Sequence, residues 1–198
     1  MKLVDELKSK KDELATWRQH LHANPEIAYE EKDTSNFVAA KLESFGVEVH
    51  GGFGGTGLVG VIHGNQGDPA SGKAIGLRAD MDALPMSEET NLPYASQRPG
   101  RMHACGHDGH TTMLLAAARH FAQTRKFHGT IYCIFQTARH RSSTEHQRCR
   151  PLRLVEKYNK RCHETLVFAQ NAWRRRAASL YARHDRKHAF GRGAVMHK

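Results

Sequence analysis

Apolar positions recur at near-helical spacing along the first 46 residues and predict two amphipathic helices. The first helix ends before Pro25, because proline cannot continue a helix. Asp33 or Thr34 can cap the second helix, and Gly46 stops it. The apolar positions are Leu3, Leu7, Leu14, Trp17 and Leu21 in the first helix and Phe37, Val38, Leu42 and Phe45 in the second. Each helix therefore has one apolar face that can pack on a core.

Short apolar runs of strand length follow at residues 47–50, 58–63, 74–78 and 130–135. Glycine-rich loops separate the first three runs, and residues 111–123, rich in Ala and Leu, predict a third helix. The last run is apolar throughout, as expected of a strand that is buried on both faces. Helices that alternate with buried strands predict an α/β domain with helices packed on a mostly parallel sheet.

Charge divides the chain into residues 1–136 and residues 137–198. The first part holds 14 Lys and Arg against 16 Asp and Glu, a net charge of −2, whereas the second holds 16 against 4, a net charge of +12. Such asymmetry is typical of a basic arm that binds nucleic acid or acidic lipid, or of two unrelated sequences that have been joined.

Composition points to a protein of the reducing cytosol. No run of about 18 apolar residues is present, which excludes a transmembrane helix. The first 11 residues are mostly charged and lack the apolar stretch of a secretory signal. The four cysteines show no disulfide-framework spacing and are expected to be thiols. They are Cys105, Cys133, Cys149 and Cys162.

A histidine-rich segment, Met-His-Ala-Cys-Gly-His-Asp-Gly-His at residues 102–110, is a candidate metal site. Cys105 and His107 are two residues apart, so in an extended or looped backbone their side chains can point the same way. Gly106 between them removes a side chain that would crowd them. A thiolate and an imidazole that converge suit a divalent metal ion. The alternative is a merely polar loop, because a true site needs more ligands from elsewhere.

A second candidate metal site lies at residues 78–85, which read Arg-Ala-Asp-Met-Asp-Ala-Leu-Pro. Asp80 and Asp82 follow an apolar run and therefore lie at the carboxyl end of a predicted strand, where ligands gather in α/β sheets. Either carboxylate can bind a metal ion or orient a metal-bound histidine. The alternative is a solvated acidic loop.

A third segment, at residues 18–31, reads Arg-Gln-His-Leu-His-Ala-Asn-Pro-Glu-Ile-Ala-Tyr-Glu-Glu. The three segments and their order along the chain resemble one family. It is the amidohydrolase branch of the aminoacylase and carboxypeptidase metallohydrolases, which includes hippurate hydrolases, N-acyl-amino-acid amidohydrolases and auxin-conjugate hydrolases. The resemblance covers residues 14–136 and is carried mainly by the motif at residues 103–110.

The resemblance implies a catalytic α/β domain with two divalent metal ions, zinc or manganese, that acts on N-acyl amino acids such as hippurate. It also implies a smaller inserted domain that often mediates dimerisation. Cys105 and His107 match metal ligands, and Asp82 matches the carboxylate that orients the metal site, while the role of Asp80 stays open. In the family the metals activate a bridging water, and a glutamate transfers its proton to the leaving amine.

After Gln136 the chain departs from the family pattern. The family continues with Pro-Ala-Glu-Glu, a general base and a metal ligand, whereas residues 137–141 read Thr-Ala-Arg-His-Arg. The motifs of the remaining histidine ligands and the inserted domain with its homodimer interface are also missing. We therefore expect a truncated form that holds metal weakly and is inactive.

Residues 137–198 admit two interpretations. A coding frame shifted just after Gln136 explains the high arginine content and the abrupt loss of pattern at the end of a buried strand, because natural domain junctions fall in exposed linkers. The other hypothesis is a non-catalytic scaffold whose basic arm binds nucleic acid non-specifically. A helical face is available for such an arm. It consists of Leu166, Ala169, Trp173, Ala177 and Leu180.

Overall fold

The computed structural model describes residue 5, residues 8–67 and 73–137, and the backbone of residues 164–166. Residues 5, 8 and 9 are helical, and three helices and five strands have both ends within this part of the chain. In chain order they are α1 (Lys11–Ala23), α2 (Lys32–Ser44), β1 (Glu48–Phe53), β2 (Gly57–His63), β3 (Ala74–Asp80), α3 (His107–Thr124), β4 (Thr130–Gln136) and β5 (Glu164–Leu166). None of the described helices is long and apolar enough to cross a membrane.

The three predicted helices are present, with corrected ends. Helix α1 ends at Ala23, before Pro25 as expected, while Leu3 and Leu7 lie outside the described residues. Helix α2 has Glu31 at its N-cap position, so the predicted caps at residues 33 and 34 are wrong and lie in the first turn. Helix α3 begins four residues earlier than predicted, because Gly106 takes a left-handed conformation, with φ 78°, and starts the helix directly after it.

The predicted α/β class is confirmed, but the sheet is mixed rather than mostly parallel. Its strand order is β1-β2-β4-β3-β5. The pairs β1–β2 and β2–β4 are antiparallel, whereas β3–β4 and β3–β5 are parallel. The reason is the length of the connections. A tight turn joins β1 to β2 and forces an antiparallel hairpin, whereas the long connection through α3 allows β3 and β4 to run in parallel.

The central strands β2 and β4 carry the core. As predicted for residues 130–135, β4 is buried on both faces, because its alternate side chains belong to two separate apolar clusters. One face packs with α1, α2 and α3 around Trp17, Leu42, Leu115 and Phe135. The other face carries Val59, Val61, Tyr132 and Ile134. The sheet and its helices thereby hold the ends of β3 and β4 and the start of α3 in fixed places.

Most of the predicted basic part lies outside the described residues. Leu166 closes β5, which pairs with β3, and the rest of the predicted helical face is not described. Of the four cysteines, Cys149 and Cys162 are likewise not described, while Cys105 and Cys133 are free thiols, as expected.

Candidate metal site

The predicted site residues gather where the parallel strands β3 and β4 end. Asp80 and Gln136 are register partners, and the backbone N–H of Met81 donates to the carbonyl of Gln136 over 2.9 Å. Asp82 therefore follows the sheet directly at its carboxyl edge, the edge at which α/β proteins bind ligands.

Asp82 and His107 are in direct contact, although they are separated by 25 residues in sequence. The Nδ1–H group of His107 donates to the backbone oxygen of Asp82 over 2.8 Å and to its carboxylate Oδ1 over 2.9 Å. Burial acts to lower the pKa of His107, but the hydrogen bond and charge of Asp82 outweigh it, and the pKa is raised. Because Nδ1 carries the proton, Nε2 is left as the nitrogen that can bind a cation.

Cys105 lies two residues before His107, in the turn that leads into α3, and its thiol is exposed. The positive φ of Gly106 makes this turn, and the N–H of Gly106 donates to the carbonyl of His103 over 3.2 Å. A side chain at position 106 would be strained. The thiol therefore stands next to the amino end of an 18-residue helix.

The described residues supply only part of a metal ligand set. Within residues 8–67 and 73–137, no three His, Cys, Asp or Glu side chains are arranged to hold a metal ion. Structural zinc sites normally have four ligands. Cys105 and His107 stay predicted ligands, and Asp82 orients the His107 ring.

Asp80, whose role the sequence left open, is engaged elsewhere. Its carboxylate forms a short ion pair with the Arg78 guanidinium, and its side chain is almost fully buried. The hydroxyl of Thr111 also donates to the backbone oxygen of Asp80 over 3.3 Å. In this arrangement Asp80 connects β3 to α3, and within the described residues it forms no hydrogen bond with His107.

A buried ionic network beside the site was missed by the sequence analysis. The Asp108 Oδ2 atom accepts from the Nε–H group of Arg18 over 3.0 Å and from the Nδ1–H group of His22 over 2.8 Å. The other ring nitrogen of His22 donates to Glu88 Oε1 over 3.1 Å. A signal was available, because residues four apart lie on one face of a helix, which places Arg18 and His22 together.

The network fixes the charge of His22. Both ring nitrogens contact carboxylates, which accept but cannot donate when ionised, so the ring is an imidazolium. The hydrogen bond to Asp108 raises the pKa of His22 above its ordinary value of 6.5, although burial opposes this shift. Burial acts to raise the pKa of Asp108, but the hydrogen bond from His22 and the neighbouring cations lower it.

His103 differs from its histidine neighbours. It is 4% exposed, and neither ring nitrogen has a hydrogen-bond partner within the described residues. Burial lowers its pKa to about 4, so the ring is neutral at pH 7. It lies 6.3 Å from His22 between ring centroids.

A second buried carboxylate, Glu31, holds the end of β4. It is fully buried and accepts from the hydroxyl of Thr56 over 2.6 Å and from that of Thr137 over 2.7 Å. Burial raises the pKa of Glu31. The backbone N–H of Tyr29 in turn donates to the Thr137 oxygen over 3.3 Å. Thr137, the first residue of the departure from the family pattern, is therefore packed into the fold.

The fold thus places the Asp82–His107 pair at the carboxyl edge of an α/β sheet, with Cys105 two residues before His107 in sequence. Comparisons with known proteins show which family the chain resembles. Residues 76–138 match Peptidase family M20/M25/M40. The chain is 48% identical to hippurate hydrolase of Campylobacter jejuni over 138 residues, which are 70% of this chain and 35% of that protein. These matches confirm the predicted resemblance to the amidohydrolase branch of this family.

Two further relatives agree with this assignment. N-acyl-L-amino acid amidohydrolase of Geobacillus stearothermophilus is 44% identical over 138 residues, 69% of this chain and 35% of the relative. The crystal structure of the Bacillus subtilis YXEP protein, a dinuclear metal binding peptidase from the M20 family, superposes with a TM-score of 0.61 at 38% identity. The superposed part is 66% of this chain and 36% of the YXEP chain. The chain thus spans about a third of the length of the relatives it matches.

Proposed function

We propose that this chain carries one side of a metal site for hydrolysis of the amide bond of N-acyl amino acids, with hippurate-like compounds as the substrate class. The observation that supports this most is the contact between His107 and Asp82, which engages Nδ1 of the ring and leaves Nε2 for a cation, two residues after Cys105 in sequence. The relatives named as hippurate hydrolase and N-acyl-L-amino acid amidohydrolase support the substrate class.

In this proposal the Cys105 sulfur and the His107 Nε2 atom hold a divalent cation. Zinc suits a thiolate and an imidazole together, whereas manganese prefers oxygen ligands. When bound, the cation supplies an activated water and polarises the scissile carbonyl. Asp82 holds the His107 ring in one tautomer and one orientation, so that its free nitrogen points away from the sheet edge.

We further propose that the chain, as its sequence stands, hydrolyses N-acyl amino acids poorly. The family pattern places two glutamates where this chain has Arg139 and His140, and Arg141 follows. Loss of a general base alone commonly lowers the rate by about 10²–10⁴-fold. Positive charge at these positions also raises the cost of cation binding nearby.

The test is hydrolysis of hippurate and several N-acetyl amino acids with added zinc, manganese or cobalt. We expect no turnover above the metal-only control. A second protein, rebuilt from Thr137 onward on the pattern of the Campylobacter jejuni relative, is expected to be active and to lose activity on Cys105→Ala. If the unaltered chain hydrolyses a substrate and Cys105→Ala abolishes this turnover, the proposal that the chain is a poor hydrolase is contradicted. An inert rebuilt protein would contradict the substrate class.

The basic residues 137–198 support a second candidate function, a scaffold with a nucleic-acid-binding arm. Their net charge of +12 favours binding to any polyanion. A steep loss of affinity with salt, equal for DNA, RNA and heparin, is the expected non-specific behaviour. A marked preference for one nucleic acid would favour an evolved arm. Finding the family sequence in another reading frame beyond the Gln136 codon would favour the shifted frame instead.

The cytosol is the compartment we propose. Cys105 and Cys133 are both free thiols, and Cys133 is buried in β4 with its pKa raised to about 12 by burial. A reducing compartment keeps the exposed Cys105 thiol available for a cation. Location by a fluorescent fusion tests this directly, and a secreted protein would contradict it.

A further inference from the structure

Two consecutive residues at the start of α3 are held from opposite sides. His107 is bound to Asp82, which follows β3. Asp108, the next residue, is bound to Arg18 and His22, which lie on α1. The contact between Asp108 and His22 is shielded, because Asp108 is 1% exposed and His22 is 4% exposed. Together the contacts of His107 and Asp108 fix the rotation of the first helical turn about its own axis.

His22 also holds the loop that precedes this turn. Its second ring nitrogen donates to Glu88, and the other Glu88 oxygen accepts from the backbone N–H of Ser96 over 2.7 Å. One imidazole thereby links α1 to both ends of the segment between Glu88 and Asp108. That segment contains the turn with Cys105, so the position of the thiol depends on the same link.

We infer that His22 is a positioning residue for the metal site, which fixes the turn bearing Cys105 and the first turn of α3 bearing His107 without itself binding the cation. The inference rests on the metal site proposed above. Arg18 contacts Asp108 from a partly exposed position, whereas the His22 side chain is buried. His22 contacts both carboxylates, Asp108 and Glu88.

A general loosening of the packing between α1 and α3 is the competing explanation, and the fold supplies a matched control. Arg119 of α3 pairs with Glu13 of α1 over 2.8 Å and lies over the Trp17 ring at 4.9 Å. Arg119 is 7% exposed, close to the burial of His22. Arg119→Met therefore disturbs the same helix pair far along α3 from the metal turn.

The first measurement is titration of the metal-free full chain with Co²⁺, followed by the thiolate-to-cobalt charge-transfer band. Removal of a group that orients metal ligands typically costs about 10–100-fold in affinity. We expect such a loss for His22→Ala and less than about threefold for Arg119→Met. Equal losses in the two variants would overturn the inference. Absence of the band in the unaltered protein would overturn the metal site itself.

The second measurement needs no metal, so it tests the positioning role of His22 even when the cobalt band is absent. Long-range ¹H–¹⁵N correlation spectra report which ring nitrogen of His107 carries the proton. We expect the Nδ1–H form in the unaltered protein and in Arg119→Met, and a mixture of tautomers in His22→Ala. If His107 keeps the Nδ1–H form in His22→Ala, the inference is overturned. Where the alanine variant fails to fold, His22→Gln, which keeps one donor toward Asp108, is measured by the same criteria.

Discussion

Replacement of His22 by alanine tests the energetic weight of the buried network. The substitution removes two charge-assisted hydrogen bonds, of 2.8 Å to Asp108 and 3.1 Å to Glu88. Each such bond contributes about 1.5–3 kcal/mol, and removal of one partner from a buried ion pair costs about 3–5 kcal/mol. Asp108 keeps Arg18, and Glu88 keeps the N–H of Ser96, so we expect the lower end of that range.

A loss of about 3 kcal/mol is a large share of the roughly 5–15 kcal/mol that stabilises a typical domain. Urea unfolding of the full chain followed by circular dichroism measures it, with Arg119→Met as the comparison. The reasoning would be refuted by a loss below about 1 kcal/mol, the range of exposed ion pairs. Such a result would mean that water reaches the carboxylates when the imidazole is removed.

Three further outcomes follow. The raised pKa of His22 adds stability that is complete below pH 6.5 and is lost as pH rises through the pKa of His22 in the folded protein. The lowered pKa values of Asp108 and Glu88 add stability that is lost on acidification. The difference in unfolding free energy between the unaltered protein and His22→Ala should therefore peak between pH 4.5 and 6.5, and a flat profile would refute the imidazolium assignment. Asp82→Asn should lower Co²⁺ affinity by about 10–100-fold, because a neutral amide is a weaker acceptor for the His107 Nδ1–H group than the carboxylate, and an unchanged titration would contradict that role. Desalting should leave less than one zinc per chain by elemental analysis, since structural sites use four ligands, and retention of two equivalents would show that more ligands are present.

The candidate ligands could be predicted because they are close in sequence, and their role stays a prediction. Cys105 and His107 are two residues apart, and Asp82 follows an apolar strand, so spacing alone indicated each half. The contact of Asp82 with His107 depends on the path of the long connection between β3 and β4. The link from His22 to Asp108 spans 86 residues and had no local signal beyond the helical face shared with Arg18.

Local features of the fold were predicted, whereas features that depend on distant parts of the chain were missed. Periodicity gave the helices, and the run at residues 130–135 gave a strand buried on both faces. Strand direction was missed, because a loop predicted over residues 51–57 is in fact a continuation of β1 followed by a three-residue turn, 54–56. Such a turn imposes an antiparallel hairpin. The start of α3 was missed, since a left-handed Gly106 does not alter the apolar pattern.

The bond between Glu31 and Thr137 has a consequence for biosynthesis. Its two residues are 106 positions apart, as are Glu13 and Arg119. A chain made from its amino terminus at about 5–20 residues per second therefore exposes the unfinished helices for roughly 5–20 s before β4 is available. During this interval the strand that joins β2 to β3 is missing, so α1 and α2 can cover only the β1–β2 hairpin. Nascent chains should accordingly engage chaperones until Thr137 has left the ribosome, and fold only afterwards.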